Sequence, residues 1–133
     1  MTIQYSTAVR NARLDTVEST TGTAAVLKIF SGAQPANCAA ADPTGLLVTI
    51  TLPSDWMSAA SAGAKALLGT WSGTASGGAA TAPVSFRIYD SGVTTCHLQG
   101  SAGVGSGDLQ VNGAITSGQS VTVTAFTLTA GNA

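Results

Sequence analysis

The sequence predicts a mainly β fold: a single-domain antiparallel β-sandwich of jelly-roll type with a short N-terminal helix. Short segments that alternate apolar and polar residues recur about seven or eight times, and turn residues separate them. Large side chains are scarce, with three Phe, two Trp and two Tyr in 133 residues. A core with so few bulky groups must be thin, which suits two packed sheets better than a helical bundle.

Residues 1–22 are predicted to form the helical segment, with the helix itself over residues 6–20. Ser6 suits the N-cap position and Gly22 suits the stop. Because the repeating face is only weakly apolar, the helix is expected to pack on the domain or on a neighbouring molecule. The residues at three- and four-residue spacing are Tyr5, Ala8, Val9, Ala12 and Thr16.

Residues 23–133 are predicted to form the β-sandwich domain. The segments 33–44 and 72–82 are predicted as loops, the second of them mobile, and 54–63 has no clear assignment. The dipeptide Asn112-Gly113 favours a hairpin between the strands on either side. Strands are predicted at 25–31, 46–52, 64–71, 84–89, 94–100, 108–111, 114–115 and 120–129.

Charge is sparse and nearly balanced, with five Lys and Arg against six Asp and Glu and a net charge of −1. An average soluble protein carries about three times this charged fraction. No basic run exists, so neither nucleic acid nor an anionic membrane surface is an expected partner. The opening residues lack the basic and apolar regions of a signal peptide, and no long apolar stretch predicts a membrane span.

No group of residues has the pattern of a catalytic site, so the chain is predicted not to be an enzyme. His97 is the single histidine, and on a predicted strand its side chain points away from that of Cys96. The aspartates after the helix lie beside Gly, Pro or Ser and are predicted turn and cap formers. No cofactor, metal or small-molecule substrate is expected. These aspartates are Asp42, Asp55, Asp90 and Asp108.

Cys38 and Cys96 are the only cysteines. A disulfide between them would stabilise the fold by about 4 kcal/mol through chain entropy. Assembly in a reducing cytoplasm favours free, buried thiols instead. A zinc site would need both cysteines, His97 and a fourth ligand without any CxxC spacing. The sequence therefore favours free thiols and leaves the disulfide as the alternative.

Tyr5, Arg10, Arg13 and Trp56 are the candidate contacts with a partner or with another copy of the chain. In a chain so poor in aromatic residues, Trp56 and Trp71 are either core residues or interface hot spots. Trp71 lies among strand residues, which favours the core, whereas Trp56 fits either position. Arg10 and Arg13 lie three residues apart on the helix, where they are either solvated or bonded to carboxylates of a neighbouring subunit.

The stretch Tyr5-Ser-Thr-Ala-Val-Arg-Asn-Ala-Arg-Leu-Asp-Thr-Val-Glu resembles the opening of small proteins from the head modules of tailed bacteriophages and prophages. The resemblance covers nearly the whole chain, and some capsid cement proteins of this kind have jelly-roll-like folds. It implies no catalytic residues. Further similar stretches are Leu27-Lys-Ile-Phe-Ser-Gly, Pro35-Ala-Asn-Cys-Ala-Ala-Ala-Asp, Leu52-Pro-Ser-Asp-Trp-Met, Phe86-Arg-Ile-Tyr-Asp and Ser117-Gly-Gln-Ser-Val-Thr-Val-Thr.

The resemblance implies a capsid decoration, or cement, protein that binds and stabilises the major capsid shell of a bacteriophage. Its expected partners are the major capsid protein and copies of itself, as a dimer or trimer. Its expected location is the capsid surface of the virion, after assembly in the host bacterial cytoplasm. A phage tail or fibre component that binds a receptor is the alternative, and a carbohydrate-active β-sandwich is a second one. The N-terminal helix or an exposed sheet edge is the expected contact element.

Overall fold

The computed structural model describes residues 2–133, which form one helix and eight strands. The prediction of a mainly β protein with a short N-terminal helix is confirmed. Helix α1 spans Thr7–Thr21. The strands are β1 Val26–Phe30, β2 Leu46–Thr51, β3 Ala64–Ala66, β4 Ser72–Thr74, β5 Ser85–Tyr89, β6 Cys96–Val104, β7 Leu109–Val111 and β8 Ser120–Thr129.

Helix α1 has the predicted cap residues, Ser6 and Gly22, and spans Thr7–Thr21 where residues 6–20 were predicted. The Ser6 hydroxyl accepts a hydrogen bond from the Val9 backbone N–H at 3.2 Å, which satisfies one free donor of the first turn. At the other end, the Gly22 N–H donates to the Glu18 carbonyl at 2.9 Å. Gly22 has a φ of +94°, a conformation that ends helices and that glycine adopts without strain.

The strands form a single curled sheet in the order β2-β1-β5-β6-β7-β8-β3. Strand β4 pairs with β8 beside β3, on the same edge of that long strand. The sheet is mixed, because β6 and β7 run parallel while the other strand pairs are antiparallel. The predicted purely antiparallel arrangement is therefore wrong, and this strand order does not confirm a two-sheet sandwich.

The parallel pair depends on an unusually tight return between β6 and β7. Parallel neighbours usually need a crossover of about a dozen residues. Here residues 105–108 suffice, because Gly105 and Gly107 have φ angles of +71° and +88°. The Asp108 carboxylate accepts both the N–H and the hydroxyl of Ser101 at 3.0 Å, which fixes the return.

Strand β4 falls within the segment predicted as a mobile loop. It connects the two ends of the curled sheet, since it pairs with β8 and the next residue, Ala75, bridges to Val48 of β2. Small side chains permit this contact: a Cβ at Gly73 would lie 3.0 Å from Ile50. The predicted hairpin at Asn112-Gly113 is also wrong, because Ile115 bridges to Thr81 instead of pairing back onto β7.

A chain of aromatic rings fills the inside of the curled sheet. Trp71 lies 5.9 Å from Trp56 and 5.4 Å from Phe126, measured between ring centroids, and Phe126 meets Phe86 edge-on. Trp56 and Trp71 are both 0% exposed, and the Trp56 indole donates to the Gly22 carbonyl at 2.9 Å. The candidate contact residue Trp56 is therefore a core residue, because a fully buried side chain has no surface to offer a partner.

The outward face of β1, β5 and β6 is covered by the loop at residues 31–45, which we call the cover loop. Arg87 lies beneath it, only 1% exposed. Its guanidinium donates to the carbonyls of Asn37, Cys38 and Ala40 and to the Asp42 carboxylate, at 2.8–3.3 Å. The second layer that a sandwich would build from strands is here a loop held by one arginine.

Candidate interaction surface

Helix α1 attaches to the sheet through polar side chains rather than through an apolar stripe. Only Leu14 and Thr21 of the helix are buried. The Asn11 side chain accepts the Gly63 N–H at 2.9 Å, one turn before the two carboxylates of the same face. Those carboxylates, Asp15 and Glu18, reach the segment at residues 56–65. The position of the helix is therefore set by directional bonds, which fix its orientation on the sheet.

Glu18, the only glutamate in the chain, makes the central contacts. One carboxylate oxygen accepts the backbone N–H groups of Trp56 and Met57 at 3.1 and 3.0 Å. The other lies 3.0 Å from the Lys65 ammonium. Lys65 is only 3% exposed and also pairs with Asp15 at 2.8 Å. A buried ammonium of this kind is tolerated because two carboxylates surround it.

The ionisation of these groups follows from their contacts. Burial opposes the charged form of Glu18, but hydrogen bonds from Lys65 and the Met57 N–H outweigh it, so the Glu18 pKa is lowered. The hydrogen bond with Lys65 likewise lowers the pKa of Asp15. Asp55 behaves in the opposite way, because its hydrogen bond with Glu18 raises the Asp55 pKa. For Lys65, burial alone would lower the pKa, yet the two carboxylates raise it.

Acid is expected to loosen α1. Folding lowers the pKa values of Glu18 and Asp15 below their ordinary values of 4.5 and 3.8, so these two groups bind fewer protons in the folded chain than in the unfolded chain. Their stabilisation is complete above those ordinary values and is lost as pH falls through the lowered pKa values. Urea unfolding measured from neutral pH down to about pH 3 should show this loss. In Glu18→Gln the dependence should be flatter, and an unchanged slope there would contradict the assignment.

A cleft of about 540 Å³ lies beside this network, lined by Asp15, Glu18, Asp55 and Lys65 among others. The carboxylates of Asp15 and Glu18 already bind an ammonium and backbone N–H groups. Among residues 2–133, His, Cys, Asp and Glu side chains form no cluster of three or more that could hold a metal ion. The cleft is thus the site where α1 is attached to the sheet.

Exposed side chains of the first turns of α1 and of the residues just before it make up what we call the N-terminal patch: Ile3, Tyr5, Val9 and Arg13. The three apolar side chains are 69%, 37% and 44% exposed, respectively. Tyr5, Val9 and Arg13 follow each other at four-residue spacing, and the Arg13 guanidinium lies 5.0 Å from the centre of the Tyr5 ring. Tyr5 and Arg13, both predicted as contact residues, therefore lie together on the surface.

Arg10, the remaining candidate contact, points inward instead. Its guanidinium donates to the Ala130 carbonyl at 3.3 Å and packs on Gly63, where a Cβ would lie 2.4 Å from it. The Arg10 Nε is buried without a hydrogen-bond partner. The prediction that Arg10 reaches a neighbouring subunit is not supported by this position, because the side chain fastens α1 to the end of β8.

The N-terminal patch is held in place by backbone contacts as well as by the helix. The Tyr5 N–H donates to the Asn132 carbonyl at 2.6 Å, and the Gln4 side chain donates to the Ala133 carbonyl at 3.3 Å. The residues before α1 therefore lie against those after β8. This arrangement presents the patch on an ordered backbone rather than on a free end.

Two residues considered in the sequence analysis, His97 and Asp90, lie outside the N-terminal patch. His97 is half-buried near the start of β6 and lines a groove of about 300 Å³ with Arg13 and Val17 of α1. Asp90 accepts the backbone N–H groups of Thr94 and Thr95, which confirms it as a turn former.

The roles of Glu18, Lys65 and Arg87 were not predicted from the sequence. The available signal was that Lys65 and Arg87 are single charges within predicted strands and that Glu18 is the only glutamate. A charged side chain that is buried is almost always paired.

In comparisons with protein-family models, curated proteins and solved structures, the chain shows no significant match. Helix α1 is the single helix of the described residues 2–133, and it lacks the length and apolar character needed to cross a bilayer.

Proposed function

We propose that this chain is a bacteriophage capsid decoration protein that binds the major capsid shell through the N-terminal patch. The observation that carries the proposal is the patch itself: exposed apolar side chains in the first turn of a helix and just before it, where the opposite face of the helix is fixed by directional bonds. An ordered apolar surface of this kind loses little conformational entropy on binding. The motifs that resemble phage head-module proteins give the choice of partner.

The sparse charge of the chain fits the same role. With a net charge of −1 and 8% charged residues, contacts made by this surface would depend little on salt. Many copies, each with a modest interface, together stabilise a shell more than any single contact does. Self-association as a dimer or trimer belongs to the proposal. The curled sheet does not confirm the jelly roll that the resemblance implies, so the surface and not the topology supports this function.

The double variant Tyr5→Ala/Val9→Asp is expected to bind capsid shells about 100-fold more weakly, the effect of removing two interface side chains of roughly 1–2 kcal/mol each. Its fold should be unchanged, because both side chains are exposed and an Asp in the first helical turn suits the helix dipole. Co-sedimentation with shells assembled from the major capsid protein measures the binding.

Val104→Asp is the matched control, since Val104 is 48% exposed and lies outside the N-terminal patch, at the end of β6. It should bind shells as the wild type does. Equal binding by the double variant, or equal loss in both variants, would show that the patch is not the contact element. Deletion of residues 1–20 is a poorer test, because it would leave the buried Lys65 without either carboxylate partner.

Copy number per virion separates the proposal from the alternative of a receptor-binding tail or fibre component. A decoration protein is present in many copies over the shell, whereas a tail component is present in a few. Quantitative mass spectrometry of purified particles, scaled to the major capsid protein, makes this measurement. A stoichiometry of only a few copies would favour the tail alternative. Turnover in a glycan hydrolysis screen would instead support a carbohydrate-active protein.

A further inference from the structure

Cys38 and Cys96 lie side by side although they are far apart in the chain. The Cys38 side chain packs against a small buried cluster of Val26, Tyr89 and Cys96 on the outward face of the sheet. Both cysteines are free thiols, and both line a surface depression of about 290 Å³. Cys38 is close enough to Cys96 to contribute to the raised pKa of the Cys96 thiol. Neither thiol belongs to the N-terminal patch.

The backbone around each thiol is already ordered. The Cys38 carbonyl accepts a hydrogen bond from the Arg87 guanidinium at 2.8 Å. The side chain of the preceding residue, Asn37, accepts hydrogen bonds from the N–H groups of Ala39 and Ala40 at 3.0 Å. These bonds fix the turn that carries Cys38. Cys96 begins β6, and its thiol lies 3.2 Å from the Leu98 carbonyl. Bond formation would therefore immobilise little additional chain.

We propose that Cys38 and Cys96 form an oxidation site whose disulfide fastens the cover loop to β6. The oxidant is a low-molecular-weight disulfide such as oxidised glutathione. The Cys38 thiolate attacks one of its sulfurs, its S–S bond breaks, and one glutathione thiolate leaves. The Cys96 thiolate then attacks the Cys38 sulfur of this mixed disulfide, and the second glutathione leaves. Two protein thiols lose two electrons and two protons, and one oxidised glutathione becomes two reduced ones.

The surroundings of the two thiols set the order of these steps. Cys38 is half-buried and meets the oxidant first, whereas Cys96 is buried. Burial, together with the neighbouring Cys38, raises the pKa of the Cys96 thiol to about 11. Little Cys96 thiolate exists at neutral pH, so the second step is the slower one and should accelerate as pH rises.

The site is independent of the proposed capsid role, and its test needs only the purified chain. Wild-type protein is incubated with oxidised glutathione at mildly alkaline pH, and free thiols are titrated over time. We expect both thiols to disappear, the mass to fall by two hydrogen atoms, and a peptide containing Cys38 to be linked to one containing Cys96. Because the bond closes a loop of 57 intervening residues, we expect Tm to rise by about 5–15 °C.

The single variants Cys38→Ala and Cys96→Ala are the matched controls. Cys96→Ala should stop at the mixed glutathione adduct. Cys38→Ala should react with oxidised glutathione more slowly than the wild type or Cys96→Ala does, since its remaining thiol is buried. Reducing agent should return the oxidised wild type to its original Tm. Persistence of both thiols, a stable glutathione adduct on the wild type, a bond between two chains, or an internal bond without a Tm increase would each overturn the proposal.

Discussion

Replacing Arg87 with Met is expected to destabilise the fold by about 3–5 kcal/mol, which is a large share of the 5–15 kcal/mol that holds an ordinary domain together. The guanidinium is 1% exposed and supplies donors to three carbonyls of the cover loop and to the Asp42 carboxylate. Met fills much of the same volume but leaves the Cys38 and Ala40 carbonyls without a donor and removes the guanidinium from Asp42. Urea unfolding followed by tryptophan fluorescence measures the change.

Lys28→Met is the matched control for Arg87. Lys28 pairs with the same carboxylate at 3.2 Å, but the two side chains are 20% and 34% exposed. An ion pair open to solvent contributes about 0–1 kcal/mol. Arg87→Lys should lose most of what Arg87→Met loses, because a single ammonium cannot reach the forked set of acceptors. If Lys28→Met cost as much as Arg87→Met, net charge around Asp42 and not the guanidinium geometry would be responsible.

Glu18→Ala is expected to destabilise the chain by about 2–4 kcal/mol and to release the C-terminal half of α1 from the sheet. The substitution removes the acceptor of two backbone N–H groups and leaves the buried Lys65 with Asp15 alone. Urea unfolding gives the free energy, and hydrogen exchange along α1 shows where protection is lost. Exchange should increase in the last turns of the helix more than in β8.

Asp15→Asn provides the comparison for Glu18. Asp15 binds the same ammonium, but its side chain is 52% exposed, so water replaces much of what the substitution removes. We expect a smaller loss of stability than in Glu18→Ala. Glu18→Gln should fall between the two, because its carbonyl oxygen still accepts the N–H groups while the charge opposite Lys65 is gone. An effect of Asp15→Asn that exceeds that of Glu18→Ala would contradict this ranking.

The local features of the chain were predictable because they depend on neighbouring residues. The helix start at Ser6 and its stop at Gly22 follow from hydrogen bonds and backbone angles within one turn. The strand after Pro83 and the turn at Asp90 follow from alternation and turn chemistry in the same way. Each of these predictions depends on a stretch of fewer than about ten consecutive residues.

The face that β8 buries shows where alternation alone fails. Strict alternation places Ala125 with Val121 and Val123, yet Phe126 is the buried residue and Ala125 is exposed. The register with β7 shifts between Gln110 and Val111, and such an irregularity transfers the following side chains to the other face. The sequence of β8 alone does not predict this register shift, because the shift depends on the pairing with β7.

The same distinction between local and tertiary information applies to the candidate contact residues. The sequence by itself determined a weakly apolar N-terminal helix, a mainly β domain and four candidate contact residues. Only the tertiary structure placed Tyr5 and Arg13 outside, Arg10 against Ala130, and Trp56 in the core. The physical reason is that burial depends on which distant segment covers a residue. Here the carboxylates of α1, the buried Lys65 and the guanidinium of Arg87 join residues that are 38 to 50 positions apart in the chain.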